Sequence, residues 1–364
     1  MPESAIGSKS VIDAILCCAI CGVLNGDQLH WLFVEIWYGL DNAPEDLGDT
    51  VVTIGVFDGI HLGHKRLIAA AVSDARARGV KSLLMTFDPN PVALFAPDKV
   101  PPALSTVSRR VELAEAEGID AMLVVPFDKN FSSIPPEAFV RTVIRDKLNA
   151  QAVFVGQNFT YGQKAAGTAE TMPEHGRKCG VDVTIVDLLD VTAANSTERV
   201  SSTRIRGLLA DGAVSAAASC LGYFYRVDGD VIPGQGRGGA QLGFPTANID
   251  FAEGLAVPAD GVYAAWFTAQ PTAARPEPDP KGDIEFGVRY PAAVSVGTNV
   301  TFGDTDRTVE AYVIDRHADL YGTAGQVEFV DRIRGMEKFG SVEELIDRMN
   351  QDVADTEAIL AKTD

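Results

Sequence analysis

Between residues 50 and 210 the chain alternates between two hydrophobic periods. Five apolar runs, Val51–Phe57, Ser82–Phe87, Met122–Phe127, Ala152–Gly156 and Val183–Leu189, have the nearly unbroken character of strands buried on both faces. Helical spacing lies between several of them, in Lys65–Arg78, Val107–Glu117 and Pro136–Leu148, and the pair Pro135–Pro136 marks a helix start. This alternation predicts a doubly wound, Rossmann-like α/β sheet. The pattern changes at Ala213–Leu221, which is Ala-rich and without strong period. Beyond it, Tyr223–Ile232, Gly261–Phe267, Ala292–Val296 and Thr308–Ile314 are short β-branched or aromatic segments with no helices between them, as in an antiparallel barrel. Gln270–Arg289, with four prolines, reads as a surface insertion lengthening a hairpin. Ser341 and Glu344 form a capping box opening a C-terminal helix, whose Val342, Leu345, Ile346, Met349 and Val353 share one face for packing on the barrel. The expected parts are a poorly packed extension over 1–34, an α/β domain over 35–215, and a barrel with its terminal helix over 216–364.

At 364 residues and 46% apolar composition, two packed domains are in range. A net charge of −19 argues against nucleic acid or an anionic membrane as partner, so any phosphate ligand must meet local positive charge. The five cysteines, 17, 18, 21, 179 and 220, are odd in number and suggest no disulfide framework. Cys18 and Cys21 have metal-site spacing, but no second pair completes a zinc site. Val11–Leu24 is apolar except for Asp13, too short to span a bilayer and without a signal-like cleavage site. The expectation is a reduced, cytoplasmic protein with small-molecule partners; weak homo-oligomerisation is left open.

The candidate chemistry begins at Gly55-Val-Phe-Asp-Gly-Ile-His61-Leu-Gly-His64. It joins a buried strand to a helix N-terminus, where unpaired N–H groups and the dipole suit phosphate. Gly55, Gly59 and Gly63 allow close backbone approach, and an anion would favour the charged forms of both imidazoles. The bland reading is a Gly-rich turn with capping histidines. Phe87-Asp-Pro-Asn-Pro91 ends the second strand on the ligand side, and the loop Gly156–Gly162, containing Asn158, follows the fourth. Ser201-Ser202-Thr203-Arg204-Ile205-Arg206 follows the fifth and offers hydroxyls, helix N–H groups and guanidinium charge. An ordinary N-cap with solvated arginines is the alternative there.

In the second half, Gly234-Gln-Gly236-Arg237-Gly-Gly239 is a loop able to wrap phosphates with backbone N–H groups, and it is no Walker motif. Thr246 and Asn248 alternate onto one side of an extended segment, presenting a hydroxyl and an amide that suit Mg²⁺. Glu310 sits in Val309–Ile314 on the face of Tyr312, opposite Val309 and Ala311. It is either a solvated strand residue or a base for a substrate hydroxyl.

Together these motifs resemble two families. The first half is similar to the FMN adenylyltransferase half of prokaryotic bifunctional FAD synthetases, within the nucleotidyltransferase superfamily. The resemblance implies an ATP-binding turn made by Gly55, Phe57, Asp58 and Gly59, with His61 and His64 at the transferring phosphate. Ser202, Thr203 and Arg206 would then contact the β- and γ-phosphates, and Asn158 would line the nucleotide or flavin site. Tyr161-Gly-Gln-Lys164 departs from the family pattern. The second half resembles riboflavin kinase, through the glycine loop, Pro245-Thr-Ala-Asn248, Gly261-Val-Tyr263, Val296–Phe302, Glu310 and Asp319-Leu-Tyr-Gly322; Val300-Thr-Phe302 departs from the usual Pro-Thr-Phe. This implies a six-stranded antiparallel barrel, ATP at Gly234, Gly236, Arg237 and Gly239, Mg²⁺–ATP at Thr246 and Asn248, and Glu310 as base toward the ribityl hydroxyl. ATP, riboflavin, FMN and FAD become the implied substrates and products. Two alternatives stand beside the bifunctional reading: a monofunctional adenylyltransferase with a flavin-binding regulatory barrel, and a non-catalytic flavin store.

Overall fold

A computed structural model of the chain describes residues 34–187, 189–193, 196–234, 244–276, 281–298 and 307–363. The first half holds a six-stranded sheet of β1 (Glu35–Tyr38), β2 (Thr50–Ile54), β3 (Lys81–Phe87), β4 (Ala121–Val125), β5 (Ala150–Gly156) and β6 (Asp182–Val186). Its order is β1-β4-β3-β2-β5-β6, and every pairing is parallel. The apolar runs are nearly unbroken because neighbouring residues serve opposite layers. Val51, Leu84 and Met122 face helices α1 (Leu62–Arg78) and α2 (Val107–Ala116), whereas Val52, Leu83 and Leu123 pack with α3 (Phe139–Lys147, continuing the turn Pro136–Ala138) and α4 (Met172–Cys179) on the other side. The strand order reverses between β2 and β5, so a crevice opens beyond their carboxyl ends.

Several expectations need correction. Edge strand β1 was not foreseen; it pairs Glu35–Tyr38 with Ala121–Val124. The run expected to reach Phe57 ends as strand at Ile54, because Gly55 opens a turn in which Phe57 and Ile60 take positive φ of 50° and 29°. Ala213–Leu221 contains a helix, α6 (Val214–Leu221), with Val214, Ala217, Cys220 and Leu221 buried; alanine supplies too little hydrophobic contrast for the period to show.

The second half is a closed antiparallel barrel of β7 (Tyr225–Ile232), β8 (Ala247–Phe251), β9 (Gly261–Gln270), β10 (Arg289–Thr298), β11 (Arg307–Val313) and β12 (Ala324–Arg334), in the order β7-β8-β11-β10-β9-β12. Its interior shares one cluster with Leu104, Val200, Ile205 and Leu209 of the first half and with α6. The Gln270–Arg289 segment does lengthen a hairpin, joining the antiparallel pair β9 and β10, and it is tied down. Lys281–Gly282 pairs with Ala318–Asp319, Arg275 donates to the Tyr321 carbonyl at 2.9 Å, and Ile284 enters the core cluster.

The C-terminal helix α7 (Val342–Leu360) begins at the expected cap, where Ser341 Oγ accepts from the Glu344 N–H at 3.2 Å. The expected stripe is only partly right. Val342 is exposed, and the most buried positions are Asp352, Thr356 and Leu360. The Asp352 carboxylate receives the Arg334 guanidinium at 2.7 Å and that of Arg348 at 3.1 Å. Asp352→Ala would strand buried guanidinium charge and should cost about 3–5 kcal/mol, whereas Val342→Ala should stay within about 0.5 kcal/mol. Urea unfolding midpoints of the two variants check this, and equal midpoints would refute it. No helix among the described residues is long and apolar enough to cross a membrane.

Candidate active sites

The crevice at the β2–β5 reversal is a cavity of about 820 Å³. Its polar wall is assembled from three strand ends. After β2 come Gly55, Phe57, His61 and His64; after β5 comes Asn158; and Arg199, Ser201, Ser202 and Thr203 lead into α5 (Ser202–Ala210). His61 caps α1, its Nδ1 accepting the His64 backbone N–H at 3.3 Å, which places the proton of a neutral ring on Nε2. The two imidazoles stack at 3.7 Å, and Phe57 packs edge-on against His64 at 5.2 Å. Gly63 permits the stack, since a Cβ there would approach the His61 ring to 3.1 Å. Desolvation lowers the His61 pKa to about 4, opposed by its backbone hydrogen bond. Desolvation first, and His61 second, hold His64 well below 6.5. His64 is only half-buried as a residue, but its Nδ1 is enclosed and has no hydrogen-bond partner. Both rings are therefore neutral at pH 7 in the free protein, and the charged form awaits an anion.

Three residues of the expected site lie outside the cavity wall. Asp58 is buried, accepting from the Leu104 N–H at 2.9 Å and the Ser105 N–H at 3.1 Å. Gly59, at φ 79°, donates its N–H to Ser105 Oγ at 3.0 Å, and a Cβ there would press to 3.0 Å from Leu104. Arg206 forms an ion pair with Asp58 and donates Nε–H to the Pro102 carbonyl at 2.6 Å. Its guanidinium is thus turned toward a carboxylate.

The rest of the wall was marked in the sequence only in part, through the Phe87–Pro91 strand end and the Asn158 loop. Lys164 lines the mouth with a left-handed backbone, φ 57° and ψ 26°, and Arg199 faces the same space. Phe87, Phe127, Phe131, Phe139, Phe159 and Tyr161 form a continuous aromatic wall, with Phe159 and Tyr161 stacked at 5.9 Å. Arg110 is buried behind it, donating to Thr86 Oγ1 at 3.1 Å and the Phe87 carbonyl at 3.3 Å. Phe87, Phe159, Tyr161 and Lys164 fall in segments that the sequence marks, whereas Phe127, Phe131, Phe139 and Arg199 come from segments that carry no site motif.

The second constellation lies on the outside of the barrel. Asn248 on β8 is directly paired with Glu310 on β11. Val309, Ala311 and Val313 point into the core, so Glu310 and Tyr312 face outward, where Tyr312 meets Phe244 edge-on at 5.1 Å. Burial raises the Glu310 pKa, and a hydrogen bond with Thr246 opposes the rise. Gly234 lies against Asn248, and a Cβ there would collide with the amide nitrogen at 2.3 Å. Gly236, Arg237 and Gly239, and the Asn299–Phe302 part of the Val296–Phe302 motif, lie outside the described residues. Thr246, Asn248, Glu310 and Gly234 come together, at a site distinct from the histidine crevice.

Comparison with known proteins decides what the pair of sites belongs to. Residues 43–204 match the family model for FAD synthetase, and residues 221–360 match that for riboflavin kinase. A bifunctional riboflavin kinase/FMN adenylyltransferase of Listeria monocytogenes is 35% identical over 316 residues, spanning 86% of this chain and 93% of that protein. The chain belongs to the bifunctional riboflavin kinase/FMN adenylyltransferase family. The Escherichia coli K12 relative of the same name is 30% identical, over 85% of this chain and 91% of its own. A solved Streptococcus pneumoniae structure, described as a macrolide-efflux protein, aligns over 89% of this chain and 99% of its own with a TM-score of 0.76 and 30% identity. That likeness supports the shared two-part fold; the efflux description finds no counterpart in the two family matches. As a family member the chain is a transferase with both a FAD synthetase half and a riboflavin kinase half. The single-activity alternative and the non-catalytic flavin store are therefore set aside.

Proposed function

We propose that the barrel transfers the γ-phosphoryl group of ATP to the ribityl 5′-hydroxyl of riboflavin, giving FMN. The sheet crevice then joins FMN to the AMP portion of a second ATP, giving FAD and pyrophosphate. The observation that carries this reading is the separation of two constellations, one at the strand-order reversal of a parallel sheet and one on the outer face of a barrel. The functional division follows at about residue 215/216, with 1–34 as an extension to the first part.

In the barrel, Glu310 takes the hydroxyl proton as oxygen attacks phosphorus. Its raised pKa makes it a stronger base than an ordinary carboxylate, and the Thr246 hydroxyl orients it. Thr246 and Asn248 fit a hard cation, since they offer neutral oxygens beside a carboxylate and Gly234 keeps space against the amide. Mg²⁺ held there would neutralise charge on the phosphates of ATP. The glycine loop with Gly234, Gly236, Arg237 and Gly239 would wrap the same phosphates.

In the crevice, the FMN phosphate attacks the α-phosphorus of ATP in line, with no covalent enzyme intermediate, and the protein supplies positioning and charge. His61 and His64 meet the transferring phosphate, and Ser202 and Thr203 meet the leaving pyrophosphate at the start of α5. Lys164 and Arg199 line the same wall and supply cationic charge there. The aromatic wall suits the flat isoalloxazine ring. Small molecules suffice as partners on this reading, with no nucleic acid or membrane, in a reducing cytoplasm.

Mixing the enzyme with riboflavin and Mg-ATP and separating products over time tests both steps. FMN should rise first and FAD should follow. FMN without FAD would remove the crevice assignment, and absence of FMN would remove the barrel assignment.

A further inference from the structure

The most densely bonded buried carboxylate in the crevice region belongs to a residue that does not line the crevice itself. Asp58 Oδ1 accepts from the Leu104 N–H at 2.9 Å, the Ser105 N–H at 3.1 Å and Ser105 Oγ at 3.3 Å, while Oδ2 accepts from Arg206. The Asp58 carbonyl accepts from Ser202 Oγ at 2.9 Å, and the Gly59 carbonyl accepts from the Tyr223 hydroxyl. His61 follows two residues later and caps α1. These bonds fix the turn that aims the stacked histidines.

The strap that receives Asp58 is held by the barrel half. Ala103 forms a parallel bridge with Leu255: its N–H donates to the Gly254 carbonyl at 2.8 Å, and its carbonyl accepts from the Ala256 N–H at 2.8 Å. Leu104 belongs to the cluster that fills the barrel. Arg206 Nε closes the circuit on the Pro102 carbonyl at the other end of the strap.

We infer that Asp58 and Arg206 act as one positioning pair for adenylyl transfer, clamping the His61 turn to the barrel-bonded strap at 102–105. This rests on the reading of the crevice as the adenylyl-transfer site. A buried pair that shares one task gives non-additive effects, and a misplacement of about 1 Å at the reacting groups can cost about a hundredfold in rate. A phosphate-binding arginine behaves otherwise: its loss weakens ATP binding, whereas loss of Asp58 releases it to bind.

The test is a double-mutant cycle of Asp58→Asn and Arg206→Gln, with FAD formation from FMN and FMN formation from riboflavin measured on the full chain. Each single variant should lose about a hundredfold in adenylylation kcat, with the KM for ATP changed less than about threefold. The double variant should be no worse than the worse single, and the kinase rate should match wild type. The inference is overturned if Arg206→Gln raises the KM for ATP about tenfold while Asp58→Asn does not, or if the two losses multiply. Should Asp58→Asn lose kinase activity as well, marking a folding failure, Arg206→Lys decides. It keeps the charge but not the Nε–H bond to Pro102, so a kcat loss at unchanged KM supports the clamp and full activity overturns it. Failure of wild-type FAD formation would instead strike the crevice reading itself.

Discussion

Glu310→Gln should abolish FMN formation, by about 10²–10⁴-fold in kcat, while FAD formation from supplied FMN stays at the wild-type rate. Glutamine keeps the shape and can still meet the Thr246 hydroxyl, but it cannot accept the riboflavin proton. Glu310 faces outward between Asn248 and Ser295 on neighbouring strands, so the change opens no hole in the barrel core. Because burial lifts its pKa, the carboxylate begins to protonate at a higher pH than an ordinary glutamate. The kinase rate should therefore fall on the acid side from a correspondingly higher pH, and the residual rate of Glu310→Gln should lack that limb. Separate assays of the two half-reactions across pH decide it. Equal loss of both activities would remove Glu310 from the kinase role.

What could be read in the chain divides along physical lines. The central strands were legible because burial on both faces leaves apolar runs that local composition cannot disguise, as in Val51–Ile54. Strand β12 was missed although Val327 and Phe329 alternate inward, because Gln326, Glu328, Asp331 and Arg332 give it a polar look. Helix α6 was missed because an alanine face and an alanine back look alike. Among the candidate site residues, those in contiguous motifs are also neighbours in the fold: His61 with His64 and Ser202 with Thr203 on one cavity wall, and Thr246 beside Asn248. The fate of Arg206 was not legible, since its motif shows a cation but not that a carboxylate 148 positions earlier will claim it. The aromatic wall was legible only where Phe87, Phe159 and Tyr161 lie in marked segments; Phe127, Phe131 and Phe139 are gathered by the fold alone.

Replacing both histidines, His61→Ala with His64→Ala, should give the complementary result: FAD formation lost by about 10²–10³-fold or more, with riboflavin phosphorylation intact. The pair also leaves a mark that does not depend on catalysis. In the folded free protein His61 titrates near 4, whereas an unfolded histidine titrates near 6.5, so between these values the unfolded chain binds more protons than the folded one. The neutral ring's share of stability is complete above about pH 6.5 and is lost as pH falls toward 4. For His61 alone this loss is roughly 3 kcal/mol, and His64, depressed in the same direction, adds to it. The double variant has nothing to protonate there, so its stability should fall less steeply over that window. Urea unfolding at a series of pH values, compared between wild type and variant, measures the difference in slope, and parallel curves would contradict neutral buried imidazoles. Saturating ATP should then shift the wild-type curve in a defined direction. A polyphosphate beside the rings favours their charged forms, so ATP binding at about pH 5.5 should take up protons in wild type and fewer in the variant. Calorimetry in buffers of different ionisation heat reads that uptake directly, and equal uptake by both proteins would separate the histidines from the phosphate they are proposed to meet.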